Sequence, residues 1–549
     1  METFDYIIIG AGSAGCVLAN RLSENPSLNI LLIEAGGSDK HPYIQAPAGF
    51  LKTFDNLRFN WCYQTKEGEG VGGRKIFFPR GKVLGGSSSI SGHLYVRGQS
   101  MDFDHWAELG NQGWSYKEVL PYFIKSEDRS TGKDIYHGVG GPQHVSDVLE
   151  RHPLCELFVQ GAQDLGVRGN PDYNGESQEG VSYYQRTILN GRRHSAATAF
   201  LDPIRNRANL RIITGALVER LTFEGKQVKG VVFQKNQRTE EVRVGKEILL
   251  SAGSINSPKL LQLSGVGNAE FLRNLGIEVI HDLKGVGEGF QDHYAIRVAN
   301  RVKGLQTLNE RGRGISLIWE ILKWFATGKG LLAFSPASVG AFIRSTPELS
   351  RPDLQFVFTP ASYSETEGAV GELNPFPGMT CGVWQMRPES RGHVRICSKD
   401  PKENPEIQPN YLTEEVDRQA VVSGLKWCRK FLQTNPLKPF TAEETLPGRA
   451  VQSDDEILDY AARKGATVYH PVSSCRMGTD PEAVVDQELK VKGLHGLRVV
   501  DASVMPSMVS ANTNAATLMI DEKAADLICL LYTSPSPRDR TRSRMPSSA

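Results

Sequence analysis

The segment that most constrains the fold lies near the start of the chain and reads FDYIIIGAGSAGCVLANRLSENPSLNILLIEAGG. Tyr6 to Ile9 is a short apolar run typical of a buried parallel strand, and a helical apolar pattern then runs to Leu22. Between them stand Gly10, Gly12 and Gly15 in the spacing GxGxxG. In this spacing the first glycine permits a tight turn, the second lets backbone approach a pyrophosphate, and the third lets the helix pack closely on the strand. The segment therefore predicts a nucleotide-binding strand, turn and helix.

Glu34 adds a second signal, because it ends the next apolar run about 20 residues beyond the glycines. A carboxylate at this place can accept hydrogen bonds from ribose hydroxyls, and its charge would repel a 2′-phosphate. The helix N-terminus would present free N–H groups and a positive dipole end to the phosphates. We therefore predict binding of the ADP part of a dinucleotide. NAD and FAD share this fingerprint, so the segment alone leaves the choice between them open.

The rest of the chain predicts two domains, since 549 residues exceed one compact core. Residues 102–127 suggest two short helices broken at Gly113, and residues 210–244 suggest strands. Near the C-terminus, LRVVDASVMP and SANTNAATLMIDEKAADLI again suggest a strand, a turn and a helix. Both ends of the chain therefore show the pattern of a strand, a turn and a helix. This predicts one nucleotide domain built from separate segments, with the segments inserted between them forming a substrate domain.

Charge and apolar patterning argue against a nucleic-acid-binding protein, a membrane-spanning protein and a secreted protein rich in disulfides. The net charge is +1, and four arginines sit in the last twenty residues, LLYTSPSPRDRTRSRMPSSA, so no nucleic-acid partner is expected. We predict that residues 530–549 are disordered and non-native. No apolar run reaches the roughly 20 residues of a membrane span, and Ser316 to Ala326 is predicted to be an amphipathic helix. The N-terminus lacks a signal-peptide pattern and the eight cysteines form no disulfide framework, so a cytoplasmic protein is expected.

The stretch YHPVSSCRMG places His470 five residues before Cys475. A metal site would need further ligands, and only Cys475 is near. No GxSxG motif supports a serine nucleophile, and a cysteine nucleophile is poorly supported as well. A proton-transfer base and a structural histidine both remain open from this stretch alone.

Four separated motifs together resemble the glucose-methanol-choline (GMC) family of FAD-dependent oxidoreductases. They are GAGSAG with Glu34, the run GKVLGGSSSI at Gly81 to Ile90, the run GSINSPKLLQLSGVG at Gly253 to Gly267, and a C-terminal set. That set combines His470 in HPVSSCRMG with DAS at Asp501 to Ser503 and with NTNAAT. The resemblance covers nearly the whole chain.

The resemblance implies an α/β fold, in which a discontinuous Rossmann-type FAD-binding domain is joined to an α+β substrate domain with an antiparallel sheet. We place the FAD-binding domain in residues 1–150, 205–300 and 466–529, and the substrate domain in residues 151–204 and 301–465. The cofactor-binding residues expected from the motifs and the resemblance are Gly10, Gly12, Ser13, Ala14, Gly15, Glu34, Ala35, Val83, Gly86, Ser87, Ser91, Gly92, His93, Leu94, Val218, Ala252, Asp501, Ala502, Asn512 and Thr513.

Two departures from the family pattern concern the flavin. Ser91 stands where the family usually has asparagine, which would alter the surroundings of the flavin ring edge. Ile90 stands where members with covalent FAD carry histidine, so non-covalent FAD is expected. His93 is the second candidate for an unusual flavin contact.

The resemblance further implies that His470 is the active-site base and that Asn514 completes the catalytic pair. Such a site oxidises an alcohol to the aldehyde: flavin N5 takes a hydride, and a histidine with a pKa near neutrality takes the hydroxyl proton. Asn514 would orient the substrate oxygen. Asn512 and Asn514 also suit turn and N-cap positions, and His293 in GFQDH is predicted to be structural.

The substrate is expected to be a small alcohol, and the electron acceptor a quinone, an electron-transfer protein or oxygen. The chain resembles bacterial choline dehydrogenases most, but Ser338 stands where a carboxylate for the trimethylammonium group would align, so an uncharged primary alcohol is preferred. The alternatives are choline dehydrogenase itself, a cyanohydrin lyase with a structural flavin, and a non-catalytic flavoprotein. A homo-oligomer is also considered.

Overall fold

The computed structural model describes residues 2–148, 150–366 and 369–533. Residues 534–549 of the predicted disordered tail lie outside the described residues, whereas residues 530–533 continue the last helix, so the prediction was wrong for these four residues. The described helices are Ser13–Leu22, Pro42–Gln45, Ser100–Glu108, Tyr116–Ser126, Pro153–Asp164, Gly253–Leu263, Ala269–Asn274, Leu308–Arg311, Gly314–Thr327, Glu415–Leu432, Asp454–Lys464 and Asn514–Thr533. The two helices predicted between residues 102 and 127 are confirmed as Ser100–Glu108 and Tyr116–Ser126.

The first sheet is built on the predicted N-terminal strand. In spatial order it contains Leu210–Ile213, Ile30–Ile33, Thr3–Ile9, Arg238–Leu250, Gln227–Lys235 and Ala216–Glu224, with Leu497–Val499 added beside Arg238–Leu250. The strands around Thr3–Ile9 run parallel to it, whereas the last three strands form an antiparallel meander. Parallel strands buried on both faces need continuous apolar runs, which explains YIII and ILLI in the sequence.

The two ends of the chain complete this first domain together. The helix Asn514–Thr533 packs on Ser13–Leu22, and the Arg21 guanidinium donates two hydrogen bonds to the buried Glu522 carboxylate at 2.7 and 2.8 Å. The predicted discontinuous α/β domain is therefore confirmed in its architecture.

The second sheet is antiparallel, as expected. Its order is Thr441–Leu446, Tyr294–Val302, Gly378–Gln385, Leu354–Thr359, Val339–Ile343 and Gly180–Tyr183, with Ala466–Thr467 added beside Tyr294–Val302. A separate hydrophobic cluster lies on it, packed under the helix Glu415–Leu432. The expected boundary at residue 300 falls inside the strand Tyr294–Val302 of the second sheet, so the residues just before 300 belong to that sheet and not to the first one.

The smaller strands connect these units. A three-stranded sheet contains Glu288–Phe290, Gly392–Arg395 and Glu406–Gln408, and strand pairs are formed by Tyr63–Gln64 with Phe77–Phe78, Glu127–Arg129 with Gln143–Val145, Ile188–Leu189 with Arg192–Arg193, Val266–Gly267 with His281–Asp282, and Tyr363–Thr366 with Ala369–Leu373.

The helix Gly314–Thr327 differs from the predicted amphipathic helix, because its outward face is apolar. Ile315 is 74% exposed, Trp319 67% and Phe325 61%. Its acid, Glu320, turns inward and pairs with Arg311 at 2.7 Å, which leaves the outer face without a carboxylate. Among the described residues, no helix is both long and apolar enough to cross a bilayer.

Candidate active site

A cavity of about 390 Å³ runs from the carboxyl ends of the first-sheet strands to one face of the second sheet. Its lining includes His470, Asn514 and every expected cofactor residue except Gly15 and Val83. Gly15 acts through packing, since a Cβ there would lie 1.9 Å from the Gly10 carbonyl oxygen. The Val83 side chain is buried in a small apolar cluster with Ile44 and Phe59. The backbone contact with FAD that the resemblance implies for Val83 stays a prediction.

Two glycine turns meet at the nucleotide end. Gly10 has φ +96°, and a Cβ there would lie 2.5 Å from the Ser251 carbonyl oxygen. Gly86 has φ +53°, and its Cβ would lie 2.7 Å from the Cα of Gly12. Backbone alone can form this cradle, which leaves N–H groups of the turn and the following helix accessible to phosphate oxygens.

Glu34 is buried at the tip of its strand. One carboxylate oxygen accepts the Ala11 N–H at 2.8 Å and the other accepts the Gly36 N–H at 2.7 Å. Burial raises the pKa of the Glu34 carboxyl, and the two backbone hydrogen bonds oppose that rise. A carboxylate has about four acceptor sites, so both oxygens can still accept from a ribose diol. With the glycine cradle, this donor and acceptor set fits the ADP part of FAD.

Asp501 joins the third and fourth sequence motifs. One of its oxygens accepts the Gly253 N–H at 2.8 Å and the Ser257 hydroxyl at 2.5 Å, and the other accepts the Ser503 N–H at 2.8 Å. This carboxylate therefore holds the start of the helix Gly253–Leu263 against the C-terminal turn, at the wall of the cavity.

Ser88 and Ser89, which follow Gly86, form hydrogen bonds to the backbone of their own segment. The Ser88 hydroxyl donates to the Gly85 carbonyl at 2.6 Å, and the Ser89 hydroxyl donates to the Leu84 carbonyl at 2.7 Å. Ser91 is exposed to the cavity. His93 has φ +67° and is buried, and neither ring nitrogen has a hydrogen-bond partner among the described residues. Burial holds the pKa of His93 well below its usual value, so the ring is neutral.

His470 and His293 form a directed hydrogen-bond chain. The His293 Nε2 lies 2.7 Å from the Met386 carbonyl oxygen, so this nitrogen carries the proton and donates. The Nδ1 of neutral His293 is then an acceptor, 2.9 Å from the Nδ1 of His470, which must donate. The Nε2 of His470 is consequently left with its lone pair, and His470 lines the cavity.

The partner of this lone pair differs from the expected one. The Asn512 Nδ2 lies 3.0 Å from the Nε2 of His470, while the Asn512 Oδ1 accepts from the Gln355 amide at 3.0 Å. Asn514 instead accepts the Ser13 hydroxyl at 2.6 Å, at the nucleotide end. The structure thus brings Asn512, expected to bind cofactor, to the histidine, whereas Asn514 bonds to Ser13.

Asp292 fixes the histidine loop. Its Oδ1 accepts the His470 N–H at 2.7 Å, and its Oδ2 accepts the hydroxyls of Tyr411 and Thr467. Burial raises the pKa of Asp292 to about 6, and these hydrogen bonds oppose that rise. Arg80 adds a further link by donating to the Tyr469 carbonyl at 2.8 Å.

Burial also keeps both histidines neutral. Desolvation, then the neighbouring His293 and Arg80, hold the pKa of His470 well below its usual value. Desolvation lowers the pKa of His293 to about 4. Cys475 is fully buried and its thiol pKa is raised well above the usual value by burial, which is the opposite of an activated nucleophile.

Sequence reasoning assigned His293 a structural role and left out Asp292 and Gln355. The sequence signal for Asp292 and His293 was the stretch GFQDH, where these two titratable residues directly precede the apolar strand Tyr294–Val302. Ser338, by contrast, is buried and does not line the cavity.

Comparison with known families gives matches over most of the chain. The family model for the N-terminal part of GMC oxidoreductases matches residues 4–295, and that for the C-terminal part matches residues 388–520. Human mitochondrial choline dehydrogenase is 40% identical over 96% of this chain and 90% of its own length. An alcohol dehydrogenase [acceptor] of Pseudomonas putida is 40% identical over 96% of this chain and 95% of its own. An oxygen-dependent choline dehydrogenase of Staphylococcus xylosus is 42% identical over the same shares.

Solved structures show the same fold. Pyridoxine 4-oxidase from Mesorbium loti has a TM-score of 0.86 and 32% identity, covering 95% of this chain and 98% of its own. Formate oxidase has a TM-score of 0.89 and 25% identity, covering 97% of this chain and 99% of its own. Two variants of the enzyme from Aspergillus oryzae RIB40, which concern the effect of mutation on FAD modification, match equally well.

Proposed function

This chain belongs to the GMC oxidoreductase family and oxidises alcohols with FAD, and we propose that His470 accepts the hydroxyl proton in that reaction. The observation that carries the proposal is the direction of the hydrogen-bond chain from the Met386 carbonyl through His293, which leaves a basic lone pair on the Nε2 of His470. Bound FAD supplies the acceptor for the hydride that leaves the alcohol carbon.

The protein side of the step follows from the positions of Asn512 and His470. An alcohol whose oxygen displaces the Asn512 amide from the Nε2 of His470 donates its proton to that nitrogen and accepts a hydrogen bond from the same amide. Gln355 holds the Asn512 oxygen, so the amide N–H groups point toward the substrate. The developing negative charge on the oxygen is then stabilised by a positioned donor and by the new charge on His470.

Asn512 and Asn514 provide a matched pair of variants. Asn512→Ala should lower the rate constant for FAD reduction by about 10- to 100-fold, because one hydrogen bond to a charged oxygen is lost. Asn514→Ala should instead weaken FAD retention and change that rate constant by less than about 3-fold. Stopped-flow absorbance of the FAD-loaded proteins and the flavin-to-protein absorbance ratio after dialysis separate the two effects. Equal rate losses in both variants would contradict the assignment.

The pH dependence follows from the lowered pKa of His470. The protonated ring cannot accept a proton, so the rate of FAD reduction at subsaturating alcohol should be constant above the usual histidine pKa of 6.5 and fall only at lower pH. His293 and Arg80 act on the His470 ring, and Asp292, whose own pKa is raised to about 6, holds the His470 backbone N–H. Asp292→Asn is therefore the control that separates titration of Asp292 from titration of the base. A midpoint above pH 7 would show that another group is the base.

We propose a substrate other than a quaternary amine. The carboxylates that line the described cavity are Glu34, at the nucleotide end, and Asp501, whose two oxygens already accept three hydrogen bonds. Choline would need a negative charge or an aromatic cage at the substrate end. Choline dehydrogenase remains the second candidate, because of the relatives named above and because Tyr363, Trp384 and Tyr469 line that end. Anaerobic bleaching of FAD by 1-hexanol but not by choline supports the first candidate, and the reverse supports the second.

The same anaerobic assay tests the other two alternatives. A lyase with a structural flavin, or a non-catalytic flavoprotein, leaves FAD oxidised in the presence of every alcohol tried. Reoxidation by oxygen, by an artificial quinone or by an electron-transfer protein then identifies the acceptor. Non-covalent FAD predicts release of the flavin on acid precipitation, in line with Ile90 in the flavin segment. A cytoplasmic location and a homo-oligomer remain predictions.

A further inference from the structure

Arg297 is a cation at the substrate end of the cavity that the proposed mechanism does not use. It lies on the strand Tyr294–Val302 and lines the cavity. Within the described residues, its guanidinium group takes part in no hydrogen bond and no ion pair. A partly buried guanidinium without an anionic partner is uncommon, because desolvation of the charge is not offset.

The register of the second sheet fixes where Arg297 stands relative to His470. Ala295 pairs with Trp384, and Arg297 pairs with Gly382. The Trp384 ring centroid lies 6.2 Å from that of His470. Arg297 lies on the same face of the strand as Ala295, two residues farther along. The Cα atoms of these two residues are therefore about 7 Å apart.

Gly382 leaves room beside the guanidinium. A Cβ at this position would lie 3.1 Å from a methyl group of Val357 and 3.7 Å from the Cγ of Arg297, so any side chain would fill the space between them. Gly382 itself lines the cavity beside Arg297, and as a glycine it adds no side-chain atoms to this part of the wall. A ligand that reaches from His470 along the sheet therefore meets Arg297.

Two phenol groups lie within the electrostatic reach of Arg297. Burial raises the pKa of Tyr363 to about 12 and also raises that of Tyr469, while the charge of Arg297 opposes both rises. Both tyrosines are therefore neutral donors at physiological pH. The Tyr469 hydroxyl is buried and has no hydrogen-bond partner among the described residues.

We propose that Arg297, assisted by the Tyr469 hydroxyl, binds a carboxylate of the substrate, so that the enzyme oxidises hydroxy acids whose carboxylate is separated from the reacting carbon by several carbon atoms. This inference rests on the proposed function of His470, and it replaces the uncharged primary alcohol expected from the sequence by an alcohol that carries a carboxylate. One guanidinium offers two parallel N–H donors that match the two oxygens of a carboxylate, and its single positive charge balances that of a monoanion. The same charge repels choline. In the reaction the carbinol carbon loses a hydride to FAD and the hydroxyl loses a proton to His470, while the carboxylate is unchanged.

The test compares 6-hydroxyhexanoate with its methyl ester, which keeps the chain and removes the charge. The wild-type protein should prefer the acid in kcat/KM by about 10- to 100-fold, and Arg297→Gln should abolish the preference while changing the ester by less than about 3-fold. Arg297→Lys should retain part of the preference for the acid over the ester. Arg301→Gln, on the same strand but exposed and outside the cavity lining, is the matched control and should change neither substrate.

A binding measurement separates recognition from turnover. Calorimetric titration of the FAD-loaded protein with hexanoate should show weaker binding in Arg297→Gln by about the same factor. If wild type shows no preference for the acid, or if Arg297→Gln affects acid and ester equally, the Arg297 proposal fails. If 1-hexanol and the ester still bleach FAD in that case, the proposed function stands; if no alcohol bleaches FAD, the proposed function itself has failed.

Discussion

Replacing His470 by alanine is expected to slow alcohol-driven FAD reduction by about 10²- to 10⁴-fold, the usual contribution of a positioned base. The effect should be large because the Nε2 of His470 is the acceptor that the hydrogen-bond chain from Met386 directs into the cavity. Single-turnover reduction, followed by flavin absorbance without oxygen, measures the step directly. FAD content should stay near that of wild type, since the histidine lies at the substrate end.

The control for this variant lies in the same loop. Cys475→Ala removes a fully buried thiol whose pKa is strongly raised, so it should leave the reduction rate within about 3-fold, apart from a packing loss of stability. A His470→Ala protein that retains FAD and reacts at the wild-type rate would rule out the base assignment. A Cys475→Ala protein that is folded but inactive would revive the nucleophile alternative.

Gly86→Ala is expected to yield protein with little or no FAD. The added methyl group would stand 2.7 Å from the Cα of Gly12, and φ +53° strains any residue with a Cβ. Both effects push apart the two turns that form the phosphate cradle, and we expect FAD affinity to fall by at least about 10-fold, in line with the 1 to 3 kcal/mol of a typical overpacked site. The ratio of flavin to protein absorbance after purification reports the loss.

Gly225→Ala is the matched control for backbone strain. Gly225 has φ +58°, close to that of Gly86, but a Cβ there would meet no atom within 4 Å. It lies in the hairpin between Ala216–Glu224 and Gln227–Lys235, away from the cavity. If both variants lose FAD equally, general destabilisation explains the result; retention of FAD in Gly86→Ala would show that the cradle tolerates a side chain.

Much of the nucleotide end could be predicted from sequence because its determinants are local. A strand, three glycines and a helix follow each other within a short stretch, and the acid at the next strand end is at a fixed spacing. The structure adds why Gly15 matters, through its packing on Gly10, and why Val83 lies outside the cavity wall.

The substrate end was less predictable because its geometry depends on contacts between distant segments. Asn512 and Asn514 are two residues apart, and the path of the turn before the last helix decides which one reaches His470. The role of His293 depends on a carbonyl 93 residues away, at Met386. Arg297 stands in a strand whose other members are mostly buried, and only the pairing register shows that it faces the cavity.

The shared construction of the first sheet by both ends of the chain has a consequence for biosynthesis. The strand Arg238–Leu250 lacks its outer neighbour Leu497–Val499, and Ser13–Leu22 lacks its covering helix, until nearly the whole protein has left the ribosome. At the usual 5 to 20 residues per second, the intervening stretch of about 250 residues takes roughly 12 to 50 s to synthesise. During this interval the nascent N-terminal half presents an apolar surface, so its yield in cells should depend on chaperones that bind emerging chains.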